Sequence, residues 1–352
     1  TEHGEIDRVA IDEWAHIATH SMTFIGKAVT EILYGVKPDY SYLHGGSGGG
    51  RQALSEVQKY PEDYDGVWAT CPAIKWSEFL LIPLWNLAVM HEKTILTPNK
   101  LKTFESYVHE LYGGKEAFYA STENKPINVY GALGRDTADG KITSLDCETM
   151  QEIFEGPNRE GEKLCNTFRP GVRFWSDGFG AFSMNYIDDK WQPFFLVSDY
   201  CAWLYKSRVL NFDNFTKNDF YALYDKSKRE FGFADANDPN LNCFFSRGGK
   251  LILDHGTGDP LIPPDNTRDY YFEVQKVNTM AKEHCVLFFN AGDNHGNCFG
   301  EGEGIRESDG MNLLIDWTEK GIKPQTVLGV RINLDNGSQS EKILHVVEER
   351  SE

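Results

Sequence analysis

The 352-residue chain holds 53 acidic against 35 basic residues, a formal charge of −18, with 40% hydrophobic and 25% charged residues. Such an acidic balance argues against nucleic acid and anionic lipid as partners, because both need a positive footprint. The composition is that of an ordinary globular protein, and no apolar run approaches the roughly 18 residues of a membrane span, which argues against a membrane too.

The opening decapeptide, TEHGEIDRVA, is polar and has no apolar core of a leader. The stretch IDEWAHIATHSMTFIGKAVTEILYG follows, with Ile17, Phe24, Ile25, Ala28, Ile32 and Leu33 at near-helical spacing and a stop at Gly35, which predicts one helix. DYSYLHG then reads as a short strand, a glycine turn comes next, and GRQALSEVQKY returns to helical spacing through Ala53, Leu54 and Val57. DGVWATCPA predicts another strand. Strands alternating with helices of this length indicate a parallel sheet wrapped by helices.

Between residues 76 and 245 the character changes to aromatic-rich and irregular, with helices expected in LLIPLWNLAVMHEKTILTPNKLKTFESYVHELYGG and a loop-rich middle around FEGPNREGEKL. This segment reads as an insertion. GKLILDHGTGDPLIPP and HCVLFFNAGDNHGNCFG restore the earlier pattern, each an apolar strand ending in a polar, glycine-rich loop. Open α/β sheets place their sites at such carboxyl ends. MNLLIDWTEKGI closes with an amphipathic helix.

Gly45-Gly46-Ser47-Gly48-Gly49 fits G-x-S-x-G, in which a serine on a strained strand-to-helix turn needs small neighbours. The turn lifts the hydroxyl above the sheet and aims the Gly48 amide at a developing oxyanion, assisted by the helix dipole. A phosphate loop is the competing interpretation. It fails because Arg51-Gln52 follow the glycines where a P-loop needs lysine and Ser/Thr, and Arg51 occupies the last glycine position of a dinucleotide fingerprint.

A serine nucleophile needs a base and an orienting carboxylate, in the chain order Ser, Asp, His for this architecture. Asp259 in GTGDPLIPP and His295 in AGDNHGNCFG supply them. Asp254, Asp265 and Asp293 compete for the acid's role, and His255 for the base's. Seven cysteines (Cys71, Cys147, Cys165, Cys201, Cys243, Cys285, Cys298) lack the paired spacings of a zinc site, and their pairing is not legible from spacing. Asn214-Phe-Thr and Asn336-Gly-Ser are glycosylation sequons, relevant only to a secreted chain.

YSYLHGGSGGGRQALSEVQKYPEDYDGVWATCPA, GTGDPLIPPDNTRDYY and LLIDWTEKGIKP together resemble the tannase and feruloyl esterase family of serine esterases, from near Trp14 to about Val327. The resemblance implies an α/β-hydrolase fold with a mostly parallel sheet. Residues 1–75 and 246–352 would form its catalytic core and residues 76–245 an inserted lid domain. It implies hydrolysis of aromatic, feruloyl- or galloyl-type esters through an acyl-enzyme. Ser47 would be the nucleophile, Asp259 the acid, His295 the base and the Gly48 amide an oxyanion donor. Trp85, Phe174, Trp175, Phe182, Trp191, Phe194 and Phe195 of the insertion are candidates to line the substrate pocket.

Three departures qualify the resemblance. Gly46 and Gly296 stand where the family carries two cysteines joined across the catalytic loops. Family resemblance points to secretion, whereas loss of that pair leaves an intracellular branch open. ALGRDTADGKIT keeps Asp139 of a lid calcium loop but has Ala132 and Arg135 where aspartates are expected, so no cofactor is expected and Asp139 is the weak exception. Finally, the family's early strands and second oxyanion loop are expected to be missing, so a small-molecule ester and an N-terminal fragment of the same protein completing the sheet are the expected partners. A biosynthetic acyl-transferring, cyclising or lactonising enzyme of this fold, or a non-catalytic hydrolase-like binding protein, are the alternatives.

Overall fold

The computed structural model describes residues 5–172, 184–296, 298, 300–333 and 336–348. The chain divides into two units. One comprises 7–75, 233–257 and 264–352, and the other 76–232 with the chain's first six residues and 258–263.

The first of these, the core unit, opens with a helical run that begins as a short α-helix (Arg8–Asp12), widens to one π-helical turn (Glu13–Ile17) and continues as helix α1 (Ala18–Tyr34), stopped by Gly35 in the left-handed region at φ 75°. Strand β1 (Tyr42–Gly46), helix α2 (Gly48–Lys59) and strand β2 (Gly66–Thr70) follow, then strand β3 (Lys250–Gly256), helix α3 (Pro264–Val277), strand β4 (Cys285–Asn290) and helix α4 (Glu307–Lys320). The four strands pair in the order β1-β2-β3-β4, all parallel, with Gly46 opposite Thr70, Thr70 opposite Asp254 and Gly256 opposite Asn290.

Successive strand residues point to opposite faces, and in β2, β3 and β4 both faces are covered, which is why these three read as apolar runs rather than as alternating patterns, whereas β1 is only partly buried. Val67, Ala69, Leu251, Leu253, Leu287 and Phe289 pack with Ala53, Leu54 and Val57 of α2 and Tyr270 and Val274 of α3. The residues between them, Trp68, Ile252, Val286 and Phe288, pack on the other face with Leu314 and Trp317 of α4. A hairpin that the sequence pattern does not announce, β5 (Thr326–Ile332) and β6 (Gln339–His345), adds Val327 and Leu344 to that second core.

The apolar stripe of α1 lies outward. Phe24, Ile25, Ile32 and Leu33 are 59–80% exposed, and Thr23 is the helix's one buried residue. Among the described residues nothing covers this face, so the spacing that forms the helix does not bury it.

In the other unit, helix Ile82–Glu92 is buried from Ile82 to Met90 on every side, as expected of a helix apolar all round. Thr143 with Asp146 and Thr216 with Asp219 form capping boxes that start the helices Ser144–Glu155 and Lys217–Phe231. Lys217 joins these elements by pairing with Glu92 at 3.2 Å and Glu152 at 2.8 Å. Among the described residues, no helix is long and apolar enough to cross a membrane.

Candidate active site

Ser47 stands between the end of β1 and the first residue of α2 with φ 59° and ψ −120°. A non-glycine residue in that region is strained, and such strain persists only where the surroundings hold it. They hold it here at both backbone ends. Ser47 N donates to Thr70 O at 2.9 Å, and Ser47 O accepts from Ala73 N and Arg51 N, each at 3.1 Å. The steric demand of the motif falls on Gly45, where a Cβ would sit 2.3 Å from the Gly49 carbonyl oxygen. Gly48 is the first residue of a 12-residue helix, where backbone N–H groups have no intrahelical acceptor and point out of the helix end.

Cys71 and His295 lie at the same edge of the sheet as Ser47. Cys71 directly follows β2, Asp259 comes three residues after β3, and His295 five residues after β4. Asp259 is fully buried, and its Oδ1 accepts from Leu261 N at 2.7 Å and Ile262 N at 3.0 Å, a turn that fixes the carboxylate. His295 is half-buried, and its backbone N–H donates to Asn294 Oδ1 at 2.8 Å. The Cys71 Sγ and a His295 ring nitrogen lie within 4.8 Å of each other.

The competing side chains are engaged elsewhere. Asp254 Oδ2 accepts from Trp68 Nε1 at 2.5 Å and Thr70 Oγ1 at 2.6 Å inside the sheet. Burial raises the Asp254 carboxyl above its ordinary value, against the pull of those two donors. His255 is wholly buried with Nδ1 2.7 Å from Thr267 Oγ1. Asp265 pairs with Arg268 at 2.8 Å, and Asp293 is fully buried against Gly304.

Two residues that carry no motif also shape the turn. Arg51 is 1% exposed, donates to Ala15 O (2.7 Å), Ala234 O (3.2 Å) and Trp14 O (3.3 Å), and lies 4.3 Å over the Trp14 ring. Burial lowers its guanidinium to about 10. Its position directly after the glycines is the one sequence signal of this role. Cys71, at φ 42°, occupies the place beside Gly296 where a Cβ would meet Thr70 Cγ2 at 2.4 Å and Cys71 Sγ at 3.1 Å. A larger side chain at 296 is therefore excluded without movement of Thr70, and all seven cysteines are free of disulfides.

In the unit of residues 76–232, Trp85 is buried edge-on against Phe220 at 5.3 Å, and Trp191 is buried with Nε1 donating to Leu96 O at 2.8 Å, so both rings are core. Phe194 and Phe195 lie 4.4 Å apart, with Phe195 58% exposed. Phe174, Trp175 and Phe182 lie outside the described residues. Asp139 accepts from Thr97 Oγ1 at 2.5 Å and Asn99 Nδ2 at 3.2 Å, Asp136 pairs with Lys141 at 3.2 Å, and Arg135 pairs with Glu110 at 2.7 Å. Calcium takes six to eight oxygens. This donor set, with both carboxylates engaged and the Arg135 side chain turned to Glu110 and Tyr107 where a further acid would be needed, does not fit it.

A parallel sheet covered on both faces, with a strained serine where its edge strand turns into a helix, defines an α/β-hydrolase-like protein. The chain is similar in structure to the tannin acyl hydrolase from Aspergillus niger, with a TM-score of 0.84 at 22% identity, over 98% of this chain and 68% of that one. Feruloyl esterase B from Aspergillus oryzae superposes with a TM-score of 0.80 at 20% identity, over 98% of this chain and 72% of that one. In sequence it is 29% identical over 344 residues to a probable feruloyl esterase of Arthroderma benhamiae, spanning 93% of this chain and 63% of that relative. Feruloyl esterase B of Aspergillus niger is 25% identical over 366 residues, with 93% and 65% covered. The family model described as tannase and feruloyl esterase matches residues 2–110 and 136–345, and the chain belongs to that family.

Proposed function

We propose that this chain carries the catalytic centre of a serine esterase that hydrolyses aromatic esters of the feruloyl or galloyl class through an acyl-enzyme. The left-handed backbone of Ser47 at the strand-to-helix turn carries the reading, and the names of the relatives support the substrate class. His295 accepts the Ser47 hydroxyl proton as the oxygen attacks the ester carbonyl, and Asp259 holds the imidazole tautomer. The Gly48 N–H receives the oxyanion, a donor of the kind whose removal costs roughly 10²–10³-fold in rate. Proton return from His295 to the alcohol releases it, and water then resolves the acyl-enzyme by the same steps in reverse. The proposed scheme draws on protein groups and water and calls for no cofactor.

Intact-mass measurement after treatment with a fluorophosphonate tests the reading. One adduct on the wild type, absent from Ser47→Ala, is expected. No adduct on the folded protein overturns it and favours a non-catalytic hydrolase-like protein.

The expected partner at the sheet edge is part of the same proposal. Among the described residues β1 pairs only with β2, which leaves the other side of β1 as an edge, and the exposed stripe of α1 precedes that strand in the chain. Long edges and contiguous apolar faces call for cover. A further segment of the same protein adds there. Native mass spectrometry showing a second polypeptide bound one to one, with protected β1 amides, is expected, whereas a stable lone monomer overturns this part.

A further inference from the structure

Three side chains of the core unit converge at a second place, none of them among the strand-end residues described above. His20 lies in α1, Glu56 near the end of α2, and Asp63 in the turn that leads to β2. A ring nitrogen of His20 and one carboxylate oxygen from each acid lie within 4.8 Å of one another. The His20 Nδ1 is 2.6 Å from Asp63 Oδ2, and its ring is stacked on Tyr60 with centroids 3.9 Å apart and planes at 8°, which fixes the imidazole plane.

Glu56 makes this more than an acidic cluster. It is 1% exposed, and among the described residues no N–H or O–H group donates to either oxygen of its carboxylate, which faces the Asp63 carboxylate. A buried carboxylate without a donor is costly unless a cation or a proton satisfies it. Lys27 does not serve as the partner, since its ammonium donates to the backbone carbonyl of Asp63.

We propose that His20, Glu56 and Asp63 form a binding site for a divalent transition-metal cation of the zinc class, which joins α1 to the α2–β2 turn. One imidazole and two carboxylates suit zinc better than calcium or magnesium, which favour all-oxygen sets. Zinc bonds of about 2.0–2.1 Å in tetrahedral geometry put ligand atoms roughly 3.3 Å apart. The present spread therefore closes by at most about 1.5 Å, within the reach of side-chain rotation. The His20 side chain is 38% exposed, which gives the ion an entry path and leaves the fourth position to water.

The test uses the full chain, stripped with EDTA, incubated with zinc chloride, freed of excess metal by gel filtration, and assayed for zinc per chain. One retained zinc is expected for wild type, with a raised melting temperature, and at least a tenfold lower occupancy for His20→Ala and Glu56→Gln. Glu56→Gln keeps the side-chain shape and cannot ionise, so its metal-free melting temperature should match that of wild type. Loss of zinc in that variant is then not a folding failure. Cobalt(II) should give the visible bands of a nitrogen- and oxygen-ligated ion without a thiolate band in the near ultraviolet. Failure of the wild type to retain zinc overturns the proposal. So does retention by Glu56→Gln with loss in Cys71→Ser, which would place the ion at the Cys71–His295 pair. Fluorophosphonate labelling of Ser47 should be unchanged in Glu56→Gln, so this result stands or falls apart from the esterase reading.

Discussion

Helices α1 and α2 stand on either side of β1 in the chain and treat their apolar residues in opposite ways. α2 is 12 residues long and buries every residue from Gly50 to Val57 except Gln52, including a guanidinium and a carboxylate. α1 is 17 residues long, buries Thr23 alone and leaves Phe24, Ile25, Ile32 and Leu33 in solvent. Both read as amphipathic helices. Periodicity tells that a helix has an apolar face, and only the surrounding chain tells whether anything lies against it. The α2 side of β1 is where position is enforced, through Arg51 and the three backbone bonds of Ser47, while α1 is held by polar contacts such as that of His20 with Asp63.

Substitutions can break this contrast, beginning with the turn that α2 supports. Ser47→Ala should lower hydrolysis of a feruloyl or galloyl ester by roughly 10⁶-fold in kcat with the melting temperature nearly unchanged. Retained turnover would remove the serine from the mechanism. Asp259→Asn, measured in the same assay, should cost roughly 10⁴-fold in kcat, because an amide holds the wrong imidazole tautomer.

Leu54→Ala probes α2's core face, where Leu54 is fully buried, and should destabilise by about 2–5 kcal/mol in urea unfolding. A smaller effect concerns Asp254. Its carboxyl is raised in the fold, so the native state holds more protons than the unfolded chain once the pH passes the ordinary carboxylate value of about 3.9, and stability falls as pH rises. Asp254→Asn removes that loss, since one amide oxygen can accept from both Trp68 and Thr70 as Oδ2 does. The variant should therefore gain on wild type as pH rises from about 4 to neutrality and show no gain at lower pH. Least affected should be Ile32→Ser on α1, within about 0.5 kcal/mol for the chain alone, because Ile32 is 80% exposed. A large loss there would mean that α1's stripe is covered in solution, and would erase the contrast.

The elements of the sheet were legible because strands buried on both faces are written as apolar runs, and because Gly35 and Gly321 close α1 and α4 with positive φ. The β5–β6 hairpin was not. Gln339–His345 exposes every residue but Leu344, so its sequence, QSEKILH, has too little apolar content to announce a strand. The serine turn was legible for a local reason, since strand, glycines and helix are contiguous. The choice among acids was not, because Asp254, Asp259 and Asp265 fall within one short strand–loop–helix stretch, and what separates them is the hydrogen bonding of each. The proximity of Cys71 to His295 left no trace in spacing.

The sequence by itself determined the family, the strand and helix order around Ser47, and the need for a small residue at Gly45, because each depends on neighbours along the chain. Tertiary structure alone decided that Asp254 and His255 face inward, that Thr70 and Cys71 fill the space beside Gly296, that Glu56 is buried opposite Asp63 and His20, and that α1's apolar stripe faces out. These depend on which distant segments pack together, and burial, not spacing, sets the energy of a charged or apolar group.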